Sequence, residues 1–274
     1  MSLRSLLLCA FTAFFVLQSA ALADNHIFFN GAPMLSVKRQ GVFEPLELVE
    51  RNGIDKPRVT PATRRAIRTL YAPGQAHGTT VQGFALDPGV GCTEPDRVIL
   101  SDSLSTDGVL STKPLHLPQY PGTQSTTPDQ RSQVLSVLNS ILQKEKGLSK
   151  QNRALLRTQA VIKAAMLDKS GATSFIVEAE VDANSRTTIS LLLILTPSTS
   201  GHLSATYSDI RKGGPSDSDG YAGQQSFVDH IDLDGDGQDE IFVSETGYES
   251  GGIKVFTRRG QSWVQIADGA TSGC

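Results

Sequence analysis

The 274-residue chain has no basic excess: 25 Lys and Arg face 28 Asp and Glu, giving a net charge of −3 and a pI near 6.0. Nucleic acid and anionic membranes demand a positive surface, so neither is expected as a partner. Cysteine is scarce, with three residues in all. The five histidines (His26, His77, His116, His202, His230) are scattered, and no CxxC or HExxH spacing points to zinc. G-x-S-x-G, S-x-x-K, a phosphate-binding loop and a dinucleotide fingerprint are all missing, so no catalytic centre is legible. Past the N-terminal segment, no apolar run nears the roughly 18 residues of a membrane helix. The strongest, Leu191 to Leu195, has the length of a buried strand. What is present is a globular composition, 39% hydrophobic and 19% charged, without low-complexity bias.

Residues 1–23 read as a signal peptide. Arg4 supplies the positive end, Leu6 to Leu17 the apolar stretch, and Ala21-Leu22-Ala23 the small-x-small cleavage pattern before Asp24. The mature chain is therefore expected in the periplasm or secreted, with no transmembrane segment. Cleavage removes Cys9 and leaves Cys92 and Cys274. An even count in an exported chain suggests a disulfide, and two free thiols are the alternative.

Residues 24–125 form an irregular region rich in Pro, Gly, Ser and Thr, with short strands and one helix. Strands are expected at His26–Phe29, Leu46–Val49 and Val98–Leu100. Thr60-Pro61 has the form of a helix start, with Ala66, Ile67, Leu70 and Tyr71 as its apolar stripe and Ala72-Pro73-Gly74 as its end. The prolines of residues 111–127 predict an extended linker. Residues 126–274 form the second region. Thr127-Pro128-Asp129-Gln130 has capping-box spacing. Val134, Leu138, Ile141 and Leu142 recur on one face, and Gly147 can stop the helix. A helix at about 128–146 packed into a core follows.

From Val161 onward the pattern is β. Eight strand-length runs begin at Val161, Ser174, Thr187, Leu203, Phe227, Glu240, Gly252 and Ser262, separated by turns such as Asp168-Lys169-Ser170-Gly171. Residues 209–226 predict a long polar loop. The fold class expected is α+β, mainly β in the C-terminal half, built of antiparallel hairpins.

The chemistry concentrates in Asp232-Leu233-Asp234-Gly235-Asp236-Gly237-Gln238-Asp239-Glu240. Carboxylates stand at positions 1, 3, 5 and 9, and glycine at position 6 allows a sharp turn. Calcium takes six to eight oxygens. Alternating carboxylates around a tight turn can point several inward, and the Gln238 carbonyl can add another. Without a cation the acids repel one another and their pKa values rise. An EF-hand is excluded, because Val243 stands where the bidentate Glu is required and the flanks, Phe227-Val228 and Ile241-Phe242-Val243, are β-formers.

The segment DLDGDGQDEIFV resembles the calcium-binding hairpin of FG-GAP and VCBS-type repeats, the blade motif of integrin α-subunit propellers, over about residues 227–257. The resemblance implies a propeller-blade-like calcium loop, with Asp232, Asp234, Asp236 and Glu240 as side-chain ligands and Gln238 giving its carbonyl. The family usually has Asp at position 9, so the longer Glu240 implies a shifted or bidentate ligation. A degenerate copy with few identities aligns 66 residues earlier: Leu167 with Leu233, Phe175 with Ile241, Ile176 with Phe242 and Val177 with Val243. Two units are too few to close a propeller, and an open sheet or sandwich backed by the helix is expected instead.

Glu178, Glu180 and Asp182 share one strand face and read as a solvated face rather than an acid/base pair. Asp217 and Asp219 read as part of an acidic loop, and His230 as a strand-surface residue. The expectation is an exported Ca2+-binding module that binds or scaffolds a protein or glycan partner, with structural calcium. The alternatives are a hydrolase acting on cell-wall or polysaccharide material, and an inhibitor or assembly factor that uses residues 111–127.

Overall fold

The computed structural model describes residues 24–38, 41–46, 48–51, 54–57, 61–67, 69–72, 77–81, 84–87, 97–100, 108–115, 122–184, 187–213, 223–247 and 250–273. Residues 1–23, expected as a signal peptide, and Cys92, Cys274, Asp217 and Asp219 lie outside the described residues, as does any bridge between the two cysteines. Among the described residues, antiparallel sheets dominate and no helix is long and apolar enough to cross a membrane.

The chain opens with β1 (Asn25–Phe29) and β2 (Ala32–Val37), joined at Asn30-Gly31. Both turn residues have positive φ, +48° and +79°. That is the backbone of a type I′ turn, whose twist suits a two-residue hairpin. The Asn-Gly pair announces this hairpin in the sequence, yet only its first strand was expected. There follow β3 (Phe43–Pro45), β4 (Leu48–Arg51), β5 (Ile54–Pro57), α1 (Pro61–Ala66), β6 (Thr69–Tyr71), β7 (Thr79–Thr80), β8 (Phe84–Asp87), β9 (Arg97–Leu100) and β10 (Val109–Ser111). The first sheet runs β3-β2-β1-β10-β6-β7. The expected helical stripe is thereby corrected. Helix α1 ends at Ala66, and Leu70 and Tyr71 belong to a strand paired with Leu110 and Val109. A six-residue helix has little stability of its own, and pairing with β10 wins.

The expected 111–127 linker carries strand residues at its two ends, and residues 116–121 lie outside the described residues. Ser111 ends β10, and Gln124–Ser125 form β11, paired with the strand that follows the helices. Helix α2 spans Pro128–Lys144. The Gln130 amide donates to Thr127 Oγ1 at 3.3 Å and the Thr127 amide to Gln130 Oε1 at 2.9 Å, the reciprocal capping box. A second helix, α3 (Lys150–Gln159), was not foreseen, although Ser149 caps it by accepting from the Asn152 amide. Its short, mostly polar pattern buries only Leu156 fully.

Next come β12 (Val161–Met166), β13 (Thr173–Asn184), β14 (Thr187–Pro197) and β15 (Leu203–Gly213), which with β11 form a five-stranded sheet in chain order. A four-stranded sheet follows, again in chain order: β16 (Gln224–Ile231), β17 (Glu240–Thr246), β18 (Ser250–Arg259) and β19 (Ser262–Gly273). Strands β15 and β16 occupy both ends of the expected 209–226 loop, because β14 keeps pairing β15 as far as Thr188 with Gly213. The β12–β15 and β16–β19 units share one topology, a four-stranded antiparallel meander.

The sheets stack in layers rather than closing a ring. Alternation along each strand sends side chains to opposite layers. In β14, Ile189, Leu191, Leu193 and Leu195 join Val134, Leu138, Leu142 and Leu156 of the helices. Leu192 and Ile194 instead meet Phe227, Ile241 and Val243 of the next sheet. Both faces are covered, which is why Leu191 to Leu195 is an unbroken apolar run. One layer on, Phe242 turns from Ile241 and Val243 toward Ile27, Phe29, Met34 and Leu35. Phe29 and Phe242 stack with ring centroids 5.0 Å apart. Beyond them, Phe28 and Leu110 pack on Ile67 and Val98. The N-terminal strands and the C-terminal meander therefore share one core.

Polar contacts join the layers as well. Arg211 of β15 pairs with Glu245 of β17 at 3.1 Å, and Lys254 of β18 reaches the same carboxylate at 2.7 Å. Burial raises the Glu245 pKa, but hydrogen bonds from Arg211, Lys254 and Gln225 outweigh it and hold the group at about 2.

Candidate metal centre

The acidic segment turns the chain from β16 into β17. Gly235 and Gly237 have φ of +82° and +88°, conformations that side chains with a Cβ rarely adopt. Asp232 organises the turn, Oδ1 accepting from the Gly235 amide at 2.6 Å and Oδ2 from the Gly237 amide at 2.9 Å. The Asp236 amide donates to Asp234 Oδ1 at 3.1 Å, and the Gln238 amide to Asp236 Oδ1 at 2.6 Å. Short acids at alternate positions thus fold the loop on their own backbone. Glu240, the first residue of β17, is only 1% exposed. Its Oε2 accepts from the Leu233 amide and its Oε1 from Thr257 Oγ1, both at 2.8 Å.

These constraints bring ligand atoms of Asp232, Asp234 and Glu240 within 4.8 Å of one another, the single group of this kind among the described residues. Asp236 is not in it; its exposed carboxylate binds the Gln238 backbone and side chain. Gln238 forms an isolated bridge with Asp168. Asp239, absent from the sequence-derived set, points elsewhere. Its Oδ2 lies 2.6 Å from His230 Nδ1, with both side chains buried. His230 is thus no surface residue: it sits inside the stack, and its Nε2 faces the Gly122 carbonyl at 3.4 Å. Nothing in the period-2 pattern separates a buried histidine from an exposed one.

The loop of the first meander grips this turn from the side. The Lys169 amide donates to the Gly237 carbonyl and the Asp239 amide to the Leu167 carbonyl, both at 2.9 Å. Lys169 Nζ reaches the Asp236 carbonyl at 2.9 Å. Of the acidic strand face, Glu180 and Asp182 are exposed as expected. Glu178 instead accepts from the Phe227 amide at 2.8 Å and pairs with Lys163, pinning one sheet to the other.

Electrostatically the group is strained toward neutrality. Burial pushes the Glu240 pKa up to about 8, and the charges of Asp234 and Asp232 add to it. Burial likewise raises Asp232, helped by Asp239 and Asp236, and raises Asp234, helped by Asp236 and Asp232. An all-oxygen, anionic donor set of this kind suits a hard cation such as calcium.

A pH dependence follows for the protein in EDTA. The folded state holds the Glu240 proton more tightly than the unfolded chain, whose value lies near 4.5. The stability this contributes is complete below about pH 4.5 and drains away as pH rises to about 8. Melts in EDTA should therefore show Tm falling across that window in the wild type and a flatter profile in Glu240→Gln. Parallel profiles for the two proteins would refute the assignment.

No family model matches the chain, and no curated protein or solved structure matches it either.

Proposed function

We propose that this is an exported calcium-binding module in which the ion is structural, related to the FG-GAP and VCBS repeats. Its role is to bind or scaffold a protein or glycan partner in the periplasm or outside the cell. The observation that carries the reading is the convergence of Asp232, Asp234 and Glu240 at one strand-to-strand turn. Three carboxylates could supply much of a calcium coordination shell, which favours a structural ion over one that activates a substrate. The ion would neutralise the buried acids and hold the turn between β16 and β17. The signal-like pattern of residues 1–23 supports export.

Titration calorimetry of the mature chain tests the proposal. Calcium should bind with an affinity of about 0.1 mM, as in extracellular modules, and magnesium more weakly. Asp234→Ala should abolish the heat. Asp236→Ala should cost less, because its carboxylate is turned to Gln238. Absence of any calcium heat in the wild type would refute the reading.

A further inference from the structure

The turn between β2 and β3 reaches the cation loop from the N-terminal sheet. Gly41 lies there with φ +71°, and a Cβ built on it would stand 2.3 Å from Asp234 Oδ2 and 3.1 Å from its Cγ. The obstructing atoms are the end of a side chain, not backbone. Besides the strain of its positive φ, an alanine at position 41 would compete with the Asp234 carboxylate for the same space. Asp234 is also one of the three acids whose ligand atoms group at the acidic turn, with Asp232 and Glu240. The described residues on either side of the β2–β3 turn are tied together. The Lys38 amide donates to the Val42 carbonyl at 2.8 Å, and Lys38 Nζ bonds Asp24 at 2.7 Å and Glu44 at 3.3 Å.

We propose that Gly41 is a positioning residue for the cation. Its bare α-carbon lets the β2–β3 turn lie against Asp234 and keep that carboxylate with Asp232 and Glu240. Divalent-cation binding and docking of the β2–β3 pair then favour one another, since coupling between two events is reciprocal. The proposal rests on the calcium reading above.

Calcium calorimetry on the wild type, Gly41→Ala and Gly260→Ala separates the possibilities. Gly260 also has a positive φ, +64°, but a Cβ there meets nothing within 4 Å. It reports the backbone cost alone. Gly41→Ala should weaken calcium about tenfold or more, the scale of a lost supporting contact. Gly260→Ala should stay within about twofold. In EDTA the two variants should melt within about 5 °C of each other. Calcium should also slow amide exchange across Leu35–Glu44 in the wild type. Wild-type affinity in Gly41→Ala, an EDTA melt far below that of Gly260→Ala, or exchange in that segment indifferent to calcium would each overturn the proposal. Absence of calcium binding by the wild type would instead sink the calcium reading, and the proposal with it.

Discussion

Phe242→Ala should lower stability by about 3–5 kcal/mol, the usual range for a phenylalanine removed from a packed core. Phe242 is fully buried, and its ring stacks on Phe29 from a different sheet. Ile27, Met34, Leu35 and Val255 complete the surroundings. Neighbours drawn from two sheets cannot collapse into the space without shifting whole strands, so the cavity persists and the cost stays high. For a chain of this size the drop is roughly 10 °C in Tm. Phe29→Ala should fall by a similar amount. Val264→Ala, at a side chain 39% exposed, should stay within about 0.5 kcal/mol of wild type. Thermal melts of the three variants measure this. A loss under about 1 kcal/mol at both phenylalanines would mean that the two sheets do not share a core.

Calcium should raise the melting temperature by about 5–8 °C between EDTA and roughly 5 mM calcium. A ligand that binds only the folded state stabilises by RT ln(1 + [L]/Kd), and a site of ~0.1 mM affinity then contributes about 2 kcal/mol. The physical source is the strain already present in the turn. Glu240 is buried beside two further carboxylates, and each has its pKa pushed up. A divalent cation would replace proton uptake as the means of neutralising them. The shift should vanish in Asp234→Ala and be smaller with equal magnesium, which demands a tighter octahedral shell. Equal melts in EDTA and calcium would remove the structural role assigned to the ion.

The elements legible in the sequence are those with local causes. Thr127, Pro128 and Gln130 start α2 through contacts within one turn of chain. The glycines at 235 and 237 and the alternating acids bend the loop through hydrogen bonds spanning a few residues. The apolar runs of β13, β14 and β17 identify strands with two covered faces. Two local signals passed unread, Asn30-Gly31 as a hairpin turn and Ser149 as the cap of α3.

The rest depended on residues far apart along the chain. Leu70 and Tyr71 became strand because Val109 and Leu110 lie beside them. His230 became buried because Asp239 and Gly122 close around it. The candidate site divides the same way. Spacing offered four carboxylates and the Gln238 carbonyl, and of the carboxylates the turn groups Asp232, Asp234 and Glu240. Asp236 is claimed by Gln238 and Asp239 by His230.

By itself, then, the sequence determined the β-rich class, the capped helix and the place where negative charge accumulates. Those follow from hydrogen bonds and periodicities that close within a few residues. Only the tertiary structure decided which carboxylates meet, what covers each sheet, and that Gly41, between β2 and β3, lies against the acidic turn. Apart from the carboxylates, which lie within nine residues, these contacts join residues tens to hundreds of positions apart. The layer facing each strand selects them, and no local pattern encodes which layer that will be.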